Sequence, residues 1–194
     1  MRPYLTTAAL ALVLAVLVRG VAVEGFRIPS ASMLPTLQLG DYVLINKLSY
    51  GLRVPWLDRW VARYADPRPG DVIVFTSSRE SADYDKRVIA IAGDLVEIRN
   101  KQVFINGAPR DTGSAYFTQR AHVQSTGPRD NFGPARVPPG QVFVLGDNRD
   151  QSIDSRHWGF VDLNDVQGKA LFVYWSVDAD DGSVRWERTG EAVR

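Results

Sequence analysis

Phe26–Gly40, with the sequence FRIPSASMLPTLQLG, separates an apolar N-terminal segment from a body rich in short β-strand patterns. It carries two serines one residue apart, Ser30 and Ser32, between Pro29 and Pro35. Prolines and serines in this arrangement favour neither a regular helix nor a long strand. The stretch is therefore either a nucleophile segment beside an apolar groove or an ordinary loop. Both interpretations stay open on these residues alone, because short motifs are weak signals.

The residues before this stretch predict a membrane anchor. Tyr4–Val18 carries no charge, and the apolar run continues past Arg19 to Val23, which reaches the ~20 residues that span a bilayer. Arg19 would lie near one end, where its long stem can reach the headgroups. A cleavable signal peptide is the alternative, but neither Val-Arg-Gly nor Ala-Val-Glu offers the small residues of a good cleavage site. We therefore expect an uncleaved single span.

The orientation of this span follows from its flanking charges. Arg2 precedes it, and the positive-inside rule then favours a cytoplasmic N-terminus, although Arg19 and Arg27 on the far side weaken that signal. The body of the chain is then exported. The expected division is a cytoplasmic tail at residues 1–3, a transmembrane anchor at 4–24 and an extracytoplasmic domain at 25–194.

The body predicts a mainly β fold built from two antiparallel β-sheets, because short alternating runs recur between turn signals. The predicted strands are Asp41–Ser49, Asp71–Thr76, Lys86–Ala92, Leu95–Arg99, Gln102–Ile105, Gln141–Leu145, Ala170–Ser176 and Val184–Arg188. Gly51–Tyr64 is irregular, and its Trp56 and Trp60 belong either to the core or to the membrane surface, with a slight preference for the surface. Ala108–Pro139 is rich in Gly, Pro, Ser and Thr and is expected to be a small inserted subdomain.

The composition excludes several kinds of function. The net charge is +1, from 23 basic and 22 acidic residues, so no basic surplus favours nucleic acid as a partner. The sequence has no cysteine, which excludes disulfides, a thiol nucleophile and thiolate metal sites. Its two histidines, His122 and His157, are too few and too far apart to predict a histidine metal site. Any catalysis is therefore not expected to rest on a histidine base.

A serine nucleophile without a histidine needs another base, and lysine is a known partner of serine in such pairs. A lysine base must be neutral when it acts, so its pKa of about 10.4 must fall, and burial among apolar groups lowers it. Lys86 opens the apolar run KRVIAIA and meets this requirement, while Lys47 in VLINKLS is the main rival. The residues alone leave the choice between the two lysines open.

Four blocks of sequence, taken in their order, point to one family. They are FRIPSASMLPTLQLGDYVLINKLSYG, PGDVIVF, DKRVIAIAGD and GDNRDQSIDSRHWGFV. In this order they closely resemble the bacterial type I signal peptidases, the membrane-bound Ser-Lys proteases that remove signal peptides. The later RWERTG is similar to that family's closing strand. The resemblance covers most of the chain from Phe26 onward, except Ala108–Pro139, where the family varies.

The resemblance implies roles for the serines and for one lysine. Ser32, in the Ser-Met-x-Pro block, is the implied nucleophile, and Lys86, in the Lys-Arg block, is the implied general base. Ser30 is implied to place its hydroxyl in the oxyanion hole beside the backbone N–H of Ser32. Donors of this kind typically stabilise the charge of a tetrahedral intermediate by ~3–4 kcal/mol each.

The last block is implied to support this pair. Ser152 is expected to hydrogen-bond the lysine and orient it, and Asp154 and Arg156 are expected to form a supporting ion pair. Without the resemblance, Ser152 is an ordinary loop hydroxyl and the ion pair is a structural one. Residues 147–149 of the same block are expected to shape the loop.

Asp85 departs from the family pattern, in which the residue before the lysine is often apolar. A carboxylate pointing inward beside Lys86 would raise the pKa of the lysine. Adjacent residues of a strand point to opposite faces, so we expect Asp85 to face away from the lysine.

Substrate specificity is expected to follow from shape. Signal peptides end in small residues in an Ala-x-Ala-like pattern, and two shallow apolar pockets would read alternate side chains of an extended peptide. Ile28, Pro29, Met33 and Leu37 are the candidate pocket walls, and plain core packing is the alternative for them. The extended Arg27–Ile28 segment fits binding of the peptide as an added strand.

The sequence is therefore interpreted as a membrane-anchored serine endopeptidase of the bacterial inner (plasma) membrane. Its expected partners are the signal peptides of exported preproteins and the lipid bilayer, with no nucleic acid, no metal and no organic cofactor. A specialised processing protease, for example for conjugation pilins, is the first alternative. A self-cleaving Ser-Lys repressor is disfavoured by the anchor, and a non-catalytic anchored β-domain by the intact Ser32 and Lys86.

Overall fold

The protein is described here by a computed structural model covering residues 4, 6–8, 10–11, 20–54, 59–77, 80–110, 113–118 and 129–194. Ten of the 21 residues of the expected anchor at 4–24 therefore lie outside the described residues, as does Trp56. Among the residues that are described, no helix is both long enough and apolar enough to cross a membrane. The first strand begins at Val23, one residue before the expected end of the anchor.

The described residues form thirteen strands and a short helix near the C-terminal end, and residues 4, 6–8, 10–11 and 20–21 are also helical. The strands are β1 (Val23–Arg27), β2 (Asp41–Asn46), β3 (Gly51–Val54), β4 (Arg59–Arg63), β5 (Val72–Ser77), β6 (Ala82–Ile91), β7 (Leu95–Arg99), β8 (Gln102–Ile105), β9 (Ala108–Pro109), β10 (Phe132–Arg136), β11 (Gln141–Leu145), β12 (Val161–Asp162) and β13 (Val166–Ser176). Helix α1 is Ser155–Trp158, and a 3₁₀ turn follows at Trp186–Arg188. The mainly β, antiparallel class predicted from the sequence is confirmed.

The larger sheet has seven strands in the order β1-β2-β13-β5-β6-β11-β12, and every pair in it is antiparallel. β6 lies inside this sheet, paired on one side with β5 and on the other with β11. A four-stranded sheet has the order β10-β7-β8-β9, and β3 and β4 form a separate hairpin. The ends of the expected subdomain at Ala108–Pro139 thus pair with the β7–β8 hairpin, while residues 111–112 and 119–128 lie outside the described part.

Buried apolar side chains form clusters that pack against the larger sheet and the segments that connect its strands. One cluster joins the segment after β1 to the sheet through Ile28, Met33, Leu37, Val43, Val72, Ala170 and Val173. A second cluster has Tyr50, Ile73 and Val144 among its members, and the half-buried Trp60 packs against it. Trp60 therefore contributes to the core side of the β3–β4 hairpin rather than standing free at the surface.

Two local predictions were wrong. Val184–Arg188 was expected to be a strand, but it makes a single bridge from Val184 to Val177 and then a 3₁₀ turn. In a 3₁₀ turn residues three apart lie on one side, which lets Arg185 and Arg188 both reach Asp41. Gly51–Tyr64 was expected to be irregular, but its described residues form the β3–β4 hairpin.

Candidate active site

The segment between β1 and β2 is a closed loop with a buried underside. The N–H of Ile28 donates to the carbonyl of Asp41 at 2.8 Å, and the N–H of Gly40 donates back to the carbonyl of Ile28 at 3.2 Å. Ile28, Met33 and Leu37 have no exposed surface. These three side chains anchor the loop in the core. Ser32 is therefore held at the boundary of the core, with 7% of its surface exposed.

Lys86 reaches this loop from the interior of the larger sheet. Its residue is 2% exposed, and its Nζ lies 2.8 Å from the Oγ of Ser32 and 2.8 Å from the backbone carbonyl oxygen of Asp85, to which it donates. The same Nζ lies 5.6 Å from the centre of the Tyr84 ring. The nucleophile and base implied by the resemblance are therefore within hydrogen-bond distance of each other. Lys47, the rival lysine, instead pairs with Glu24 at 3.0 Å.

Burial lowers the pKa of the Lys86 ammonium group, because the charged form loses hydration that the interior does not replace. The negative charges of Asp85, Asp154 and Asp147 oppose this shift and raise the pKa. Burial is the larger effect, so the neutral amine is more accessible than in a lysine at the surface. A neutral amine 2.8 Å from a hydroxyl can accept its proton.

Ser30 stands beside the Ser32 hydroxyl and is exposed. Its Oγ donates to the Ser32 Oγ at 3.1 Å, and the backbone N–H of Ser32 points at the Ser30 Oγ from 3.5 Å. The two donors implied for an oxyanion hole, the Ser30 hydroxyl and the Ser32 N–H, are thus next to each other and next to Ser32 Oγ.

The loop after β11 forms hydrogen bonds with the backbone of the serine segment. The N–H of Asn148 donates to the Ser32 carbonyl at 3.0 Å, and its side-chain amide donates to the Ala31 carbonyl at 3.1 Å. Gly146 makes this approach possible, because a Cβ there would lie 2.5 Å from the Ser32 carbonyl oxygen and 2.2 Å from the Ser152 Oγ. The loop therefore fixes the position of Ser32 through contacts with its main chain.

Asp154 and Arg156 form a buried ion pair. Arg156 donates from Nε and Nη2 to the two carboxylate oxygens, each at 2.8 Å, and the residues are 0% and 5% exposed. Asp154 also accepts from the N–H of Gly146 at 3.0 Å and caps α1 through the N–H of Arg156 at 3.2 Å. Burial alone would raise the pKa of the Asp154 carboxyl, but the hydrogen bonds and charge of Arg156 outweigh it and keep that pKa below its usual value.

Ser152 is buried next to Gly146, and its hydroxyl lies close enough to the Asp154 carboxylate to help lower the pKa of that group, although it meets strict hydrogen-bond geometry with none of the described residues. The expected bond from Ser152 to Lys86 is therefore not formed in this structure. Lys86 uses the Asp85 carbonyl and Ser32 as its partners instead. The role of Ser152 stays a prediction.

One connection at the site was missed by the sequence reasoning. Arg87, next to the lysine, donates to both oxygens of Asp147 at 2.7 Å, and both residues are buried. Thr36 of the serine segment donates to the same carboxylate at 2.6 Å, and Ser114 does so at 3.0 Å. Asp147 therefore connects the serine segment to the strand that carries Lys86. The Arg after Lys86 was visible in the sequence, but its partner 60 residues away was not.

Asp85 was expected to face away from Lys86, but its side chain is not exposed to solvent. It is 2% exposed, because it pairs with Val74 of β5 and lies at the start of the buried stretch of β6. Burial raises the pKa of its carboxyl to about 6, the charge of Lys86 opposes this, and the charge of Asp147 adds to it. The expectation that alternation would separate Asp85 from the lysine was wrong in its electrostatic consequence, since the Asp85 charge acts on Lys86.

The candidate pocket residues divide into two groups. Ile28, Met33 and Leu37 are fully buried in a core cluster, so a bound peptide cannot touch them without movement. Core packing, the alternative that the sequence left open, describes these three residues in the structure. Pro29 is exposed beside Ser30, and its part in a substrate pocket stays a prediction.

Comparison with known proteins gives consistent results. A family model described as "Signal peptidase, peptidase S26" matches residues 1–175. The chain is 37% identical over 196 residues to a signal peptidase I of Pseudomonas fluorescens, covering 85% of this chain and 69% of that protein. It is 37% identical over 157 residues to a signal peptidase I of Bacillus caldolyticus, covering 78% and 79%. A solved signal peptidase I of Enterococcus faecalis aligns with 30% identity and a TM-score of 0.44, over 54% of this chain and 96% of that one.

Proposed function

The chain belongs to the signal peptidase family, peptidase S26, and is a serine endopeptidase of the signal peptidase I type; we propose that it is membrane-anchored and cleaves signal peptides through an acyl-enzyme on Ser32, with Lys86 as the base. The observation that carries this mechanism is the 2.8 Å distance between Lys86 Nζ and Ser32 Oγ in a buried setting. A lysine can serve as the base of a serine nucleophile only where its pKa is lowered, and burial lowers the pKa of Lys86.

The first half-reaction forms the acyl-enzyme. Neutral Lys86 takes the hydroxyl proton of Ser32, and the Oγ attacks the scissile carbonyl carbon. The carbonyl π electrons move to its oxygen, which the Ser32 N–H and the Ser30 hydroxyl stabilise. When the tetrahedral intermediate collapses, the C–N bond breaks and the Lys86 ammonium protonates the leaving amine of the mature protein.

The second half-reaction releases the signal peptide. Lys86, neutral again, takes a proton from a water molecule that attacks the ester carbonyl. The second tetrahedral intermediate expels Ser32 Oγ, which regains its proton from Lys86. The signal peptide leaves with a new C-terminal carboxylate. No step in this sequence needs a group other than the serines, the lysine and water.

Ser152 and the Asp154–Arg156 pair complete the proposed machinery. The Ser152 hydroxyl is buried near Gly146 and meets hydrogen-bond geometry with none of the described residues, which leaves it available to accept from the Lys86 ammonium once the proton has moved. Asp154 and Arg156 hold the loop on which Ser152 lies, through the Gly146 N–H and the start of α1. Their proposed role is to position that loop.

The substrate is proposed to bind as an added strand. β1 is at one end of the larger sheet, so the outer edge of that strand pairs with no other described strand, and it leads directly into the serine segment. An extended peptide laid along this edge presents every second side chain to the protein. Small residues at two alternate positions, as in Ala-x-Ala, would fit shallow recesses near Pro29, and an anchor at 4–24 would keep the site at the bilayer surface.

Cleavage of a preprotein by the detergent-solubilised full-length chain tests the mechanism. Ser32→Ala and Lys86→Ala should each lower the cleavage rate by at least about 1,000-fold, since each removes a group that takes part in bond making. Ser183→Ala, on the exposed turn before the 3₁₀ segment, and Lys47→Ala, at the surface ion pair with Glu24, are matched controls and should retain full activity. Full activity in Lys86→Ala, or loss in Lys47→Ala, would reject Lys86 as the base.

The range of substrates needs a separate measurement. A panel of unrelated preproteins with Ala-x-Ala sites should be processed with similar kcat/KM if the enzyme is a general signal peptidase. Cleavage of a single preprotein in the panel would instead identify a dedicated processing protease. Replacing either alanine of the site by a large residue such as Phe should abolish cleavage, because recesses shaped for alanine have no room for a ring.

A further inference from the structure

Three buried carboxylates act on Lys86, and two of them have their own arginine. Asp147 is held by Arg87 at 2.7 Å, and Asp154 is held by Arg156 at 2.8 Å. Each of these pairs is two-pronged, with both carboxylate oxygens accepting from one guanidinium. Each arginine therefore balances the negative charge of its carboxylate locally, which weakens the effect of that charge on Lys86.

The third carboxylate, Asp85, has no such partner. It is 2% exposed, its Oδ2 accepts no hydrogen bond within the described ranges, and it takes part in no ion pair there. The residue opposite it on β5 is the uncharged Val74. Asp85 is directly bonded to Lys86 in the chain, and its backbone carbonyl accepts from Lys86 Nζ at 2.8 Å. It is thus the unbalanced member of the three and is covalently fixed next to the base.

We propose that Asp85, buried beside Lys86 and without an arginine of its own, is a positioning residue whose carboxylate charge controls how readily Lys86 becomes neutral and thereby restrains the enzyme. The inference rests on the proposed function, because it acts on the reaction only through Lys86 as the base. A purely structural role does not explain the position, since a buried carboxylate oxygen without a hydrogen-bond partner, as Oδ2 of Asp85 is, weakens a fold rather than supporting it.

The sign of the effect follows from the charges around Asp85. Burial raises the pKa of Asp85 to about 6, with Lys86 opposing and Asp147 adding to the shift. Above that pH the carboxylate is charged and raises the pKa of Lys86, which keeps the ammonium form and withholds the base. Below it the carboxyl is neutral and this restraint is lost. Asp147 and Asp154 stay compensated by Arg87 and Arg156 throughout.

Asp85→Asn removes the charge and keeps the shape. We expect the acidic limb of the plot of log kcat/KM against pH to move to lower pH by roughly one unit, because an opposite charge close to an ionisable group shifts its pKa by about 1–3 units. On that limb, kcat/KM at a fixed pH should rise about tenfold. Asp83→Asn is the matched control, since Asp83 is an exposed carboxylate on the same strand, and its limb should stay in place.

Two further variants separate charge from shape. Asp85→Glu keeps the charge and should keep the limb near its original pH, while Asp85→Val removes the charge with a different shape and should move the limb as Asp85→Asn does. Thermal unfolding of each variant establishes that it is folded before its pH profile is interpreted. A limb that stays in place in both neutral variants would overturn the proposal.

A second readout does not depend on activity. The ¹³Cε resonance of Lys86, assigned by its absence in Lys86→Met, reports the protonation of the amine directly, and its midpoint should fall in Asp85→Asn. If the NMR midpoint falls but the kinetic limb does not move, the coupling between Asp85 and Lys86 holds and the role of Lys86 as base fails. If the NMR midpoint does not move, the inference fails whatever the activity shows.

Discussion

At the scale of single residues, burial is what separates the two lysines that the sequence left as rivals. Lys47 has 17% of its side chain exposed and forms an ion pair with Glu24 at 3.0 Å, away from Ser32. Lys86 is buried, and its pKa is lowered by that burial. The apolar residues after Lys86 in the sequence indicated this environment, but the 54-residue separation between the lysine and Ser32 concealed their contact.

Ser30 carries the first prediction at this scale. Its Oγ is 3.1 Å from the Ser32 Oγ, close to where an oxyanion would form. Ser30→Ala should lower kcat by about 10²–10³-fold with little change in KM, because an oxyanion donor acts mainly in the transition state. Steady-state kinetics on a preprotein measures both constants.

A conservative and a remote variant complete that experiment. Ser30→Thr keeps the hydroxyl and should recover most of kcat, whereas Ser183→Ala should behave as the unmodified enzyme. A kcat for Ser30→Ala within threefold of the unmodified enzyme would mean that the hydroxyl makes no contact with the developing charge.

At the scale of elements, the loop after β11 fixes the position of Ser32. In this loop, Asn148 donates hydrogen bonds to the carbonyls of Ser32 and Ala31. Asp147, in the same loop, accepts a hydrogen bond from the hydroxyl of Thr36. These bonds join two segments more than 100 residues apart in the chain. The position of the reacting hydroxyl is therefore set by a loop that itself does no chemistry.

Gly146→Ala tests this dependence. Its Cβ would meet the Ser32 carbonyl oxygen at 2.5 Å, and a backbone atom can give way only if the nucleophile segment moves. We expect kcat to fall by at least about tenfold, since small displacements of reacting groups have large effects on rate, and stability to fall by about 1–3 kcal/mol. Preprotein cleavage and urea unfolding measure the two effects.

Gly140→Ala is the contrasting variant. Gly140 has φ of +76° and no heavy atom within 4 Å of an added Cβ, so alanine there strains the backbone without pushing on the site. It should lose about 1 kcal/mol of stability and keep its kcat. Equal kcat values for the two alanine variants would show that the close approach at Gly146 does not matter for catalysis.

Local patterns predicted elements well where one strand and its turn suffice. Leu95–Arg99, Gln102–Ile105 and Gln141–Leu145 were predicted with the bounds that β7, β8 and β11 have, because alternation and an adjacent turn mark both ends. The 3₁₀ turn at Trp186–Arg188 was missed, since it forms around a carboxylate 147 residues earlier in the chain.

The site shows the same limit. The resemblance supplied Ser32 and Lys86, and their closeness fits those roles. It gave no signal for the partner of Arg87 or for the unpaired state of Asp85, because each depends on which distant side chains the fold brings near. Alternation along β6 suggested that Asp85 and Lys86 would be electrically separate, but a strand buried on both faces keeps both charges in a medium that screens them poorly.

At the scale of the whole molecule, one buried ion pair joins the two ends of the described fold. Arg188 donates to both oxygens of Asp41, with Nη2 at 2.7 Å, and the side chains are 8% and 0% exposed. Arg188→Met should lower the free energy of unfolding by about 3 kcal/mol, because it leaves a buried carboxylate without its main partner. Urea unfolding measures the change.

Two other variants bound that value. Arg63→Met breaks a surface pair in which Asp66 is 69% exposed and should change stability by less than about 1 kcal/mol. Asp41→Asn combined with Arg188→Met removes both charges and should regain part of the lost stability. If Arg188→Met were no more damaging than Arg63→Met, the pair would not be what closes the fold.

β13 follows Ser32 and Lys86 in the chain, yet it occupies the interior of the larger sheet between β2 and β5. Ser32 belongs to the half of the sheet on one side of it, and Lys86 to the half on the other side. A nascent chain thus holds both reacting groups long before the strand that unites their halves has been made, and long-range pairing of this kind forms late. We therefore expect proteolytic activity to appear only after β13 has been synthesised and has paired with both β2 and β5.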